Sequence, residues 1–435
     1  MPAEVNNQPD AAQTRLIRRL TWRIIPFLGV LYVVSYLDRV NVGFAALTMN
    51  SDLRISPRVF GLGGGIFFMG YLLFQVPSNL LLERFGARRW LTVIVLAWGI
   101  VSVSTGLIQS AHEFLIARFV LGLAEAGFFP GVVLYLTYWF PKEYRGRIMS
   151  GLMLAVPMAT ILGAPLSSVI LSAFHDPTGQ QGWRWLFYIE GAPALVGAIA
   201  VLLLLPDKPE TVSWLSESER QWLISATRPA IDVHVLKRAN TIGMLNHPVL
   251  LYAIVYFGLA LSLYGVGLWL PQMIKASGVS IFQAAMLSAV PYVVAAIGML
   301  IWGRVADARG QVGSNVWIPT VVAALALATL PLAANVELQL GLLSATALGT
   351  LAALANFWTI STTRLPARNM AAGVAIINSV GNLGGFLGPF MVGWLKQATN
   401  SYSAGVLFLS AWVAGSALLL FASTGIRSSS SGHSA

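Results

Sequence analysis

Four charged side chains interrupt long apolar stretches of this 435-residue chain. They are Asp38, Arg39, Arg118 and Glu125. A charge at the centre of a membrane-crossing helix costs about 2.5–3.5 kcal/mol even on insertion scales, so its presence there is by default a sign of function. Two acids and two bases could form a neutral structural network, or they could bind a charged solute and protons.

The spacing of these residues limits how they can interact. Arg118 and Glu125 are seven residues apart, so on a helix they share a face and are separated by about 10 Å of rise. That separation is too long for a direct salt bridge and leaves room for a solute or another side chain. Asp38 and Arg39 are adjacent and point about 100° apart, so at most one of them can aim straight at the centre of a cavity.

The residue types indicate which solute and which coupling to expect. The planar guanidinium of arginine donates two parallel hydrogen bonds, which suits it to a carboxylate. A carboxyl group in a low-dielectric cavity can take up a proton near neutral pH, although a neighbouring arginine opposes this. Competition between a proton and an anion for one charge cluster is a physical basis for coupled transport.

The elements that must position these residues are membrane-crossing helices. The chain is 56% hydrophobic and 10% charged, whereas soluble domains are about 25% charged. A span needs about 20 mostly apolar residues, and we predict an all-α integral membrane protein with twelve of them. The predicted spans are 22–47, 59–82, 90–109, 114–140, 147–173, 184–205, 248–274, 283–306, 316–334, 338–363, 370–396 and 402–424.

The basic residues between the spans predict the orientation. Twenty of the 27 Lys and Arg residues lie on one side of the predicted membrane and five on the other. Because Lys and Arg accumulate in cytoplasmic loops, we expect both termini in the cytoplasm and the chain in the cell (inner) membrane. The N-terminal stretch carries four arginines, Arg15, Arg18, Arg19 and Arg23, but no short apolar run with a cleavage site follows, so we expect no cleaved signal peptide.

A long polar loop divides the chain into two halves. We predict an N-terminal six-helix half at 1–205, a cytoplasmic linker at 206–247, a C-terminal six-helix half at 248–427 and a disordered tail at 428–435. Within the linker, Ser216 and Glu219 have the spacing of a capping box, which predicts a short amphipathic helix on the cytoplasmic surface.

The two halves also repeat one another. Three pairs of features recur with an offset of about 224 residues, which indicates duplication of a six-helix unit. Such repeats are typical of transporters, whose substrate site lies at the repeat interface near the membrane midplane. The pairs are Glu83 and Asp307, Gly163 and Gly388, and Arg145 and Arg368.

The loop after the second span resembles the cytoplasmic signature Gly-x-x-x-Asp-Arg-x-Gly-x-Arg of the major facilitator superfamily. Asn79 replaces its first glycine and Glu83 its aspartate, which keeps the charge. A closer resemblance, over the whole chain, is to the superfamily's anion:cation symporters, which include permeases for tartrate, phthalate, galactonate and 4-hydroxyphenylacetate. It is carried by SYLDRVNVGF at 35–44, RFVLGLAEAGFFPG at 118–131 and WRWLFYIEG at 183–191.

This resemblance implies roles for the charged residues. It implies that Arg39 binds a substrate carboxylate and that Asp38 and Glu125 bind protons. Arg118 could bind substrate or could organise Glu125. An acid at a helix end beside arginines can hold the two halves together on the cytoplasmic side. The candidate gating residues are Glu83, Arg84, Arg88, Asp307 and Arg309.

Five uncharged residues are further candidates for binding substrate. Tyr36 and Tyr71 could donate hydroxyl groups to an anion or could pack. Asn378 and Asn382 are four residues apart and share a helix face, where amides either bind substrate or join helices. Trp358 could form part of the cavity wall, although tryptophans in membrane proteins are usually interfacial.

The sequence argues against several other classes. It has no cysteine, and its five histidines form no metal-ligand pair, so we expect no metal or cofactor site. No Gly-Lys-Ser/Thr follows the glycines at 61–65, so we expect no nucleotide site there. We expect those glycines to allow close packing of helices instead. We expect no enzyme, no sensor and no nucleic-acid binding. The leading interpretation is a monomeric secondary transporter in the lipid bilayer, taking up a small organic anion (a tartrate-like hydroxy acid, a sugar acid or an aromatic acid) with protons or another cation. An uncoupled facilitator or an antiporter of organic anions is the alternative.

Overall fold

The computed structural model describes residues 11–174, 182–227, 247–309, 313–364 and 370–425, and the regular secondary structure in these ranges is helical. Twelve helical stretches are long and apolar enough to cross a membrane, which confirms the predicted number of spans. The helices are α1 Ala11–Asp52, α2 Pro57–Phe85, α3 Ala87–Thr105, α4 Ala111–Glu125, α5 Phe128–Trp139, α6 Lys142–Met153, α7 Ala155–Ala173, α8 Gly182–Leu204, α9 Glu217–Thr227, α10 His247–Lys275, α11 Ile281–Leu287, α12 Ala289–Arg309, α13 Ser314–Thr329, α14 Val336–Arg364, α15 Met370–Thr399 and α16 Ser403–Gly425.

Three spans consist of two consecutive helices: α4 with α5, α6 with α7, and α11 with α12. The first helix is longer than predicted, since it begins at Ala11 rather than near residue 22. Leu16, Leu20 and Ile24 lie on one side of this extension and are buried. Their spacing of four residues gives the extension one apolar face. Burial of this face against the rest of the protein stabilises the helix before the membrane span begins.

The helices alternate in direction and define two faces. The termini face is the face at which α1 begins and at which α2 and α8 end. The opposite face is the face at which α1, α7 and α10 end. The described contacts between the first and last six spans are close on the opposite-face side. There, Asn50 donates to Gln272 Oε1 at 3.4 Å and the backbone N–H of Arg58 donates to Gln397 Oε1 at 3.1 Å.

Glycines in α2 allow this close approach, as predicted. A Cβ added at Gly61 would lie 2.5 Å from the carbonyl oxygen of Pro389 in α15, and one at Gly65 would lie 2.6 Å from that of Phe386. These distances are too short for any side chain. The two helices therefore pack backbone against backbone, the arrangement that small residues permit in membranes.

The linker begins with a helix fixed by a capping box. The Ser216 backbone N–H donates to Glu219 at 2.9 Å and the Glu219 backbone N–H donates to Ser216 Oγ at 3.3 Å, which confirms the predicted capping box at the start of α9. Trp214, just before α9, stacks on Trp139 with ring centroids 5.9 Å apart, and Arg23 lies over its ring at 4.6 Å. The rest of the linker, 228–246, and the predicted tail at 428–435 lie outside the described residues.

Candidate functional site

A cavity lies between the two sets of six spans, near the middle of α1 and α2. The space open to the centre of a water molecule is about 50 Å³. Its charged lining comes from Arg39 and Arg118, and its walls are largely aromatic and aliphatic. The lining residues are Tyr36, Arg39, Val40, Gly64, Phe67, Phe68, Arg118, Val156, Thr160, Leu263, Tyr264, Gly267, Leu268, Tyr292 and Pro389.

Arg39 in α1 is held by an ion pair and by aromatic rings. Its Nε donates to Glu125 Oε2 at 2.7 Å. The guanidinium lies 5.1–5.3 Å from the ring centroids of Tyr36, Phe67 and Tyr71, distances at which a cation is attracted to the ring faces. Its Nη2 atom is buried and has no hydrogen-bond partner in the structure.

Arg118 in α4 also lies near Phe67, 4.9 Å from the ring centroid. Its side chain is buried, and Nε donates to the carbonyl oxygen of Gly63 over a long 3.4 Å. Its Nη1 atom is also buried and without a partner. Phe67 therefore contacts two guanidinium groups, each of which retains a free donor.

Glu125 is fully buried and accepts hydrogen bonds from Arg39 and, at 3.4 Å, from Ser35 Oγ. Its Oε1 has no partner. Spacing predicted that Arg118 and Glu125 would not form a direct salt bridge, and among the described ion pairs the partner of Glu125 is Arg39. The described ion pair of Glu125 is therefore made by an arginine of a different helix, α1.

Asp38 points away from the cavity, as the 100° rotation from Arg39 allows. Trp98 Nε1 donates to it at 2.8 Å, Ser102 Oγ at 2.6 Å and Asn41 Nδ2 at 3.3 Å. Asp38 therefore lies in a buried polar network behind the cavity wall rather than in contact with the space where a solute would bind.

The uncharged candidates divide into two groups. Tyr36 lines the cavity, with its hydroxyl 3.4 Å from that of Tyr264, and Tyr71 supports Arg39 from behind. Trp358 packs against Tyr256, with ring centroids 5.1 Å apart, and is not part of the lining. The amides of Asn378 and Asn382 in α15 also lie outside the lining, and Asn382 Nδ2 is buried without a partner.

Sequence reasoning did not single out Phe67, Tyr264, Thr160 or Tyr292, which also line the cavity. Aromatic residues are common in all apolar spans, so their types carried no signal. Only the position of Tyr264 opposite Tyr36, 228 residues apart, identifies it as a cavity residue.

The described contacts of the candidate gating residues do not join the two halves. The backbone N–H of Arg88 donates to Asp207 at 2.7 Å and its Nε donates to the carbonyl oxygen of Leu202 at 2.5 Å. Arg84 lies over Phe85, and Arg309 lies over Trp302. Glu83 and Asp307 are exposed, and neither takes part in an ion pair among the described residues.

The arrangement suits an anion rather than a metal ion. Within the described ranges, no group of three His, Asp or Glu side chains could hold a metal. Two buried guanidinium groups with free donors, facing one cavity, could instead bind oxygen atoms of a carboxylate. Burial strengthens such charge-assisted hydrogen bonds because the local dielectric constant is low.

Comparison with known proteins agrees with the fold. Residues 28–389 match the model of the Major Facilitator Superfamily. A protein of Agrobacterium vitis provisionally named a tartrate transporter is 43% identical over 409 residues, covering 94% of each chain. The quinolone resistance transporter of Acinetobacter baumannii is 41% identical over 406 residues, covering 91% of this chain and 92% of that one.

A solved structure shares the fold at low sequence identity. The bacterial homologue of the human lysosomal transporter Spinster superposes with a TM-score of 0.75 at 17% identity, covering 92% of this chain and 96% of that chain. The extent of the family match and the identity to curated relatives also agree with the resemblance to anion:cation symporters. The chain is therefore a multi-pass membrane transporter, not an enzyme, and it belongs to the Major Facilitator Superfamily.

Proposed function

We propose that this protein is a secondary active transporter that takes up a small organic carboxylate together with protons by alternating access. The observation that carries the proposal is the pair of buried, unpartnered donors, Arg39 Nη2 and Arg118 Nη1, on two arginines that line one cavity. An unpaired buried donor is costly, about 1–3 kcal/mol and more for a charged group. A bound carboxylate would satisfy these donors.

Glu125 provides the route for coupling to protons. In the described structure it occupies Nε of Arg39, so an incoming carboxylate competes with it for the same guanidinium. Protonation of Glu125 would remove its negative charge and release Arg39 to the substrate. Asp38, one residue before Arg39 and behind the cavity wall, is the second acid that we propose to bind a proton.

The two halves contribute different chemistry to the cavity. The charged lining residues come from the first six spans, whereas the later spans contribute uncharged groups such as Tyr264, Tyr292 and Leu268. The carboxylate would therefore face α1 and α4, and the body of the substrate would face tyrosine hydroxyls and apolar surface. This favours a hydroxy acid, a sugar acid or an aromatic acid, and the tartrate transporter relative supports the first.

Alternating access would use the division at the linker. The close packing of Gly61 and Gly65 against α15 closes the opposite-face side in this structure. We propose that the termini face is cytoplasmic and that the protein is a monomer in the inner membrane, because most Lys and Arg residues lie on that side. Rocking of one six-helix half against the other would then expose the cavity to each side in turn.

Uptake into proteoliposomes tests this function. The panel is labelled tartrate, galactonate, phthalate, 4-hydroxyphenylacetate and a neutral sugar, each with and without an inward proton gradient. We expect uptake of one acid to be driven by the gradient in the wild type and to lose that dependence in Glu125→Gln. Uptake of the neutral sugar alone, or acid uptake indifferent to gradient and substitution, would contradict the proposal.

An antiporter or an uncoupled facilitator of organic anions is the second candidate. It is favoured by the 41% identity to a quinolone resistance transporter. The same vesicles distinguish it: exchange of labelled acid against unlabelled acid, without net uptake when the proton gradient is imposed, would indicate an antiporter.

A further inference from the structure

A second buried network lies behind the cavity, where α1 packs against α7 and α8 and accepts hydrogen bonds from α3. It contains two carboxyl groups, Asp38 and Glu190, which are 1% and 0% exposed, and the amide of Asn41, which is fully buried. Neither acid lines the cavity. The network is therefore a polar cluster that substrate binding does not explain.

The two acids differ in their supply of hydrogen-bond donors. Asp38 receives three, from Trp98, Ser102 and Asn41. Glu190 accepts a hydrogen bond on Oε1 from the hydroxyl of Ser167 at 2.6 Å. Its chain neighbour Gly191 packs against Ser102, the donor to Asp38: a Cβ added at Gly191 would lie 2.9 Å from Ser102 Oγ. The two acids therefore lie at the same packing contact of α3 with α8.

Two acceptor atoms in this cluster have no donor. They are Glu190 Oε2 and Asn41 Oδ1, both buried and unpartnered. Buried polar groups are nearly always hydrogen-bonded, so each unpaired atom requires an explanation. A proton on the carboxyl of Glu190 would turn an unpaired acceptor into a donor, which a carboxylate cannot be.

The cluster contains no cation that would balance two negative charges. Among the described residues, α7 carries no charged side chain, and the basic residues of α3 are Arg88 and Arg89 in its first turn. Arg184 of α8 instead donates to the carbonyl oxygens of Gly106 and Ile108 near the opposite face. On the α1 and α4 side, Glu125 and Arg118 act electrostatically on Asp38, and Asp38 acts on Glu190.

Two carboxylates that are buried in one cluster and lack a paired cation cannot both be ionised without a large cost in free energy. The donors decide which one is neutral. The three hydrogen-bond donors around Asp38 favour its ionised carboxylate form. Glu190, whose Oε2 has no donor, is favoured as the neutral carboxylic acid. We propose that Asp38, Asn41 and Glu190 form a second proton-binding site, separate from the substrate cavity, in which the two acids share one proton that resides on Glu190 in this conformation.

This site adds a proton to the transporter that is not in direct competition with substrate. Asp38 is adjacent to Arg39, so any movement of α1 that shifts the cavity arginine also shifts one end of the network. The proposal depends on the two acids and the amide alone, and it can be tested without knowing the substrate.

Infrared spectroscopy of the purified, reconstituted protein without substrate provides the test. A protonated carboxylic acid has a carbonyl band distinct from that of a carboxylate. We expect the wild type at neutral pH to show such a band, shifted in D₂O, and Glu190→Gln to lack it. Glu125→Gln, which alters the cavity acid, should retain it. In Asp38→Asn, the neighbouring negative charge is absent, so the band should disappear at a lower pH than in the wild type.

A stability measurement supplements the spectra, because glutamine closely imitates a protonated glutamic acid and should fold. A group that binds a proton in the folded state and releases it in the unfolded chain makes stability fall as pH rises. The thermal midpoint of the wild type should therefore fall towards alkaline pH relative to Glu190→Gln. Identical infrared bands in the two proteins, or parallel stability profiles, would overturn the proposal.

Discussion

Arg39 donates from Nε to Oε2 of Glu125 at 2.7 Å, although the two residues are 86 positions apart in the chain. This contact joins α1 to α4 beneath the cavity and leaves Nη2 of Arg39 without a partner. The same guanidinium thus holds the candidate proton-binding acid and faces the space proposed for the substrate. Its two functions can be separated by substitution.

Arg39→Lys should preserve the charge but remove the planar fork. Losing one charge-assisted hydrogen bond costs about 1.5–3 kcal/mol, which corresponds to roughly a 10- to 100-fold loss of substrate affinity. The measurement is the KM of acid uptake in proteoliposomes. Arg58→Lys, at an exposed position on the opposite face, is the matched control and should leave KM unchanged. An unaltered KM in Arg39→Lys would argue against carboxylate binding there.

Gly61→Ala should weaken closure of the opposite face, because the new Cβ would lie 2.5 Å from the carbonyl oxygen of Pro389. Alanine is more favourable in a helix than glycine by about 1 kcal/mol, so the substitution does not weaken α2 itself. Any loss of closure is then due to the changed contact between α2 and α15. The chain has no cysteine, and Val40→Cys can therefore report access to the cavity. We expect faster labelling by a membrane-impermeant thiol reagent applied from the opposite face.

Gly29→Ala is the control for that experiment, since a Cβ there would meet no atom within 4 Å. The double variant Gly29→Ala, Val40→Cys should be labelled at the same rate as Val40→Cys alone. Equal labelling rates in the two alanine variants would show that backbone contact at Gly61 does not hold the opposite face closed.

The attachment of the linker should weaken in acid. Partial burial raises the pKa of Glu219, but hydrogen bonds from the Ser216 backbone N–H and the Arg19 guanidinium outweigh it, so the pKa lies below its ordinary value. A lowered folded-state pKa stabilises the fold above the ordinary value of about 4.3, and this contribution is lost as pH falls through the lower value. Because the pair is partly exposed, it contributes at most about 1 kcal/mol.

Hydrogen exchange of α9, followed from neutral pH into acid, measures this contribution. After correction for the intrinsic rate, the wild type should lose protection in acid, whereas Glu219→Gln should show weaker protection at neutral pH and less change. Glu210→Gln, exposed in the same loop, should behave like the wild type. A pH-independent protection in the wild type would exclude a role for the Arg19–Glu219 pair.

Trp214→Ala should loosen the linker by removing the stack on Trp139 and the contact with Arg23. Aromatic pairs contribute about 0.5–1.5 kcal/mol beyond the area they bury, so exchange in α9 should accelerate by roughly tenfold at most. Trp22→Ala provides the control, because that side chain is 72% exposed on the same stretch of α1. Equal exchange in both variants would show that the stack does not anchor the linker.

The sequence by itself determined the twelve spans, the capping box at Ser216 and Glu219, and the four intramembrane charges. Each of these depends on composition or on spacing within one helix. Hydropathy over about 20 residues predicts a span, and a capping box joins residues three positions apart. The rotation of about 100° per residue makes Asp38 and Arg39 point in different directions. These properties are local, so no knowledge of neighbouring helices was needed to predict them.

Only the tertiary structure decided which partners these residues have. It brings Arg39 to Glu125, Trp98 and Ser102 to Asp38, and Ser167 to Glu190. These pairs join different helices, and spacing along one helix carries no information about which faces of two helices meet. Helix packing in a membrane is set by the fit of small residues and backbones, as at Gly61 and Pro389, and that fit exists only once the chain is folded.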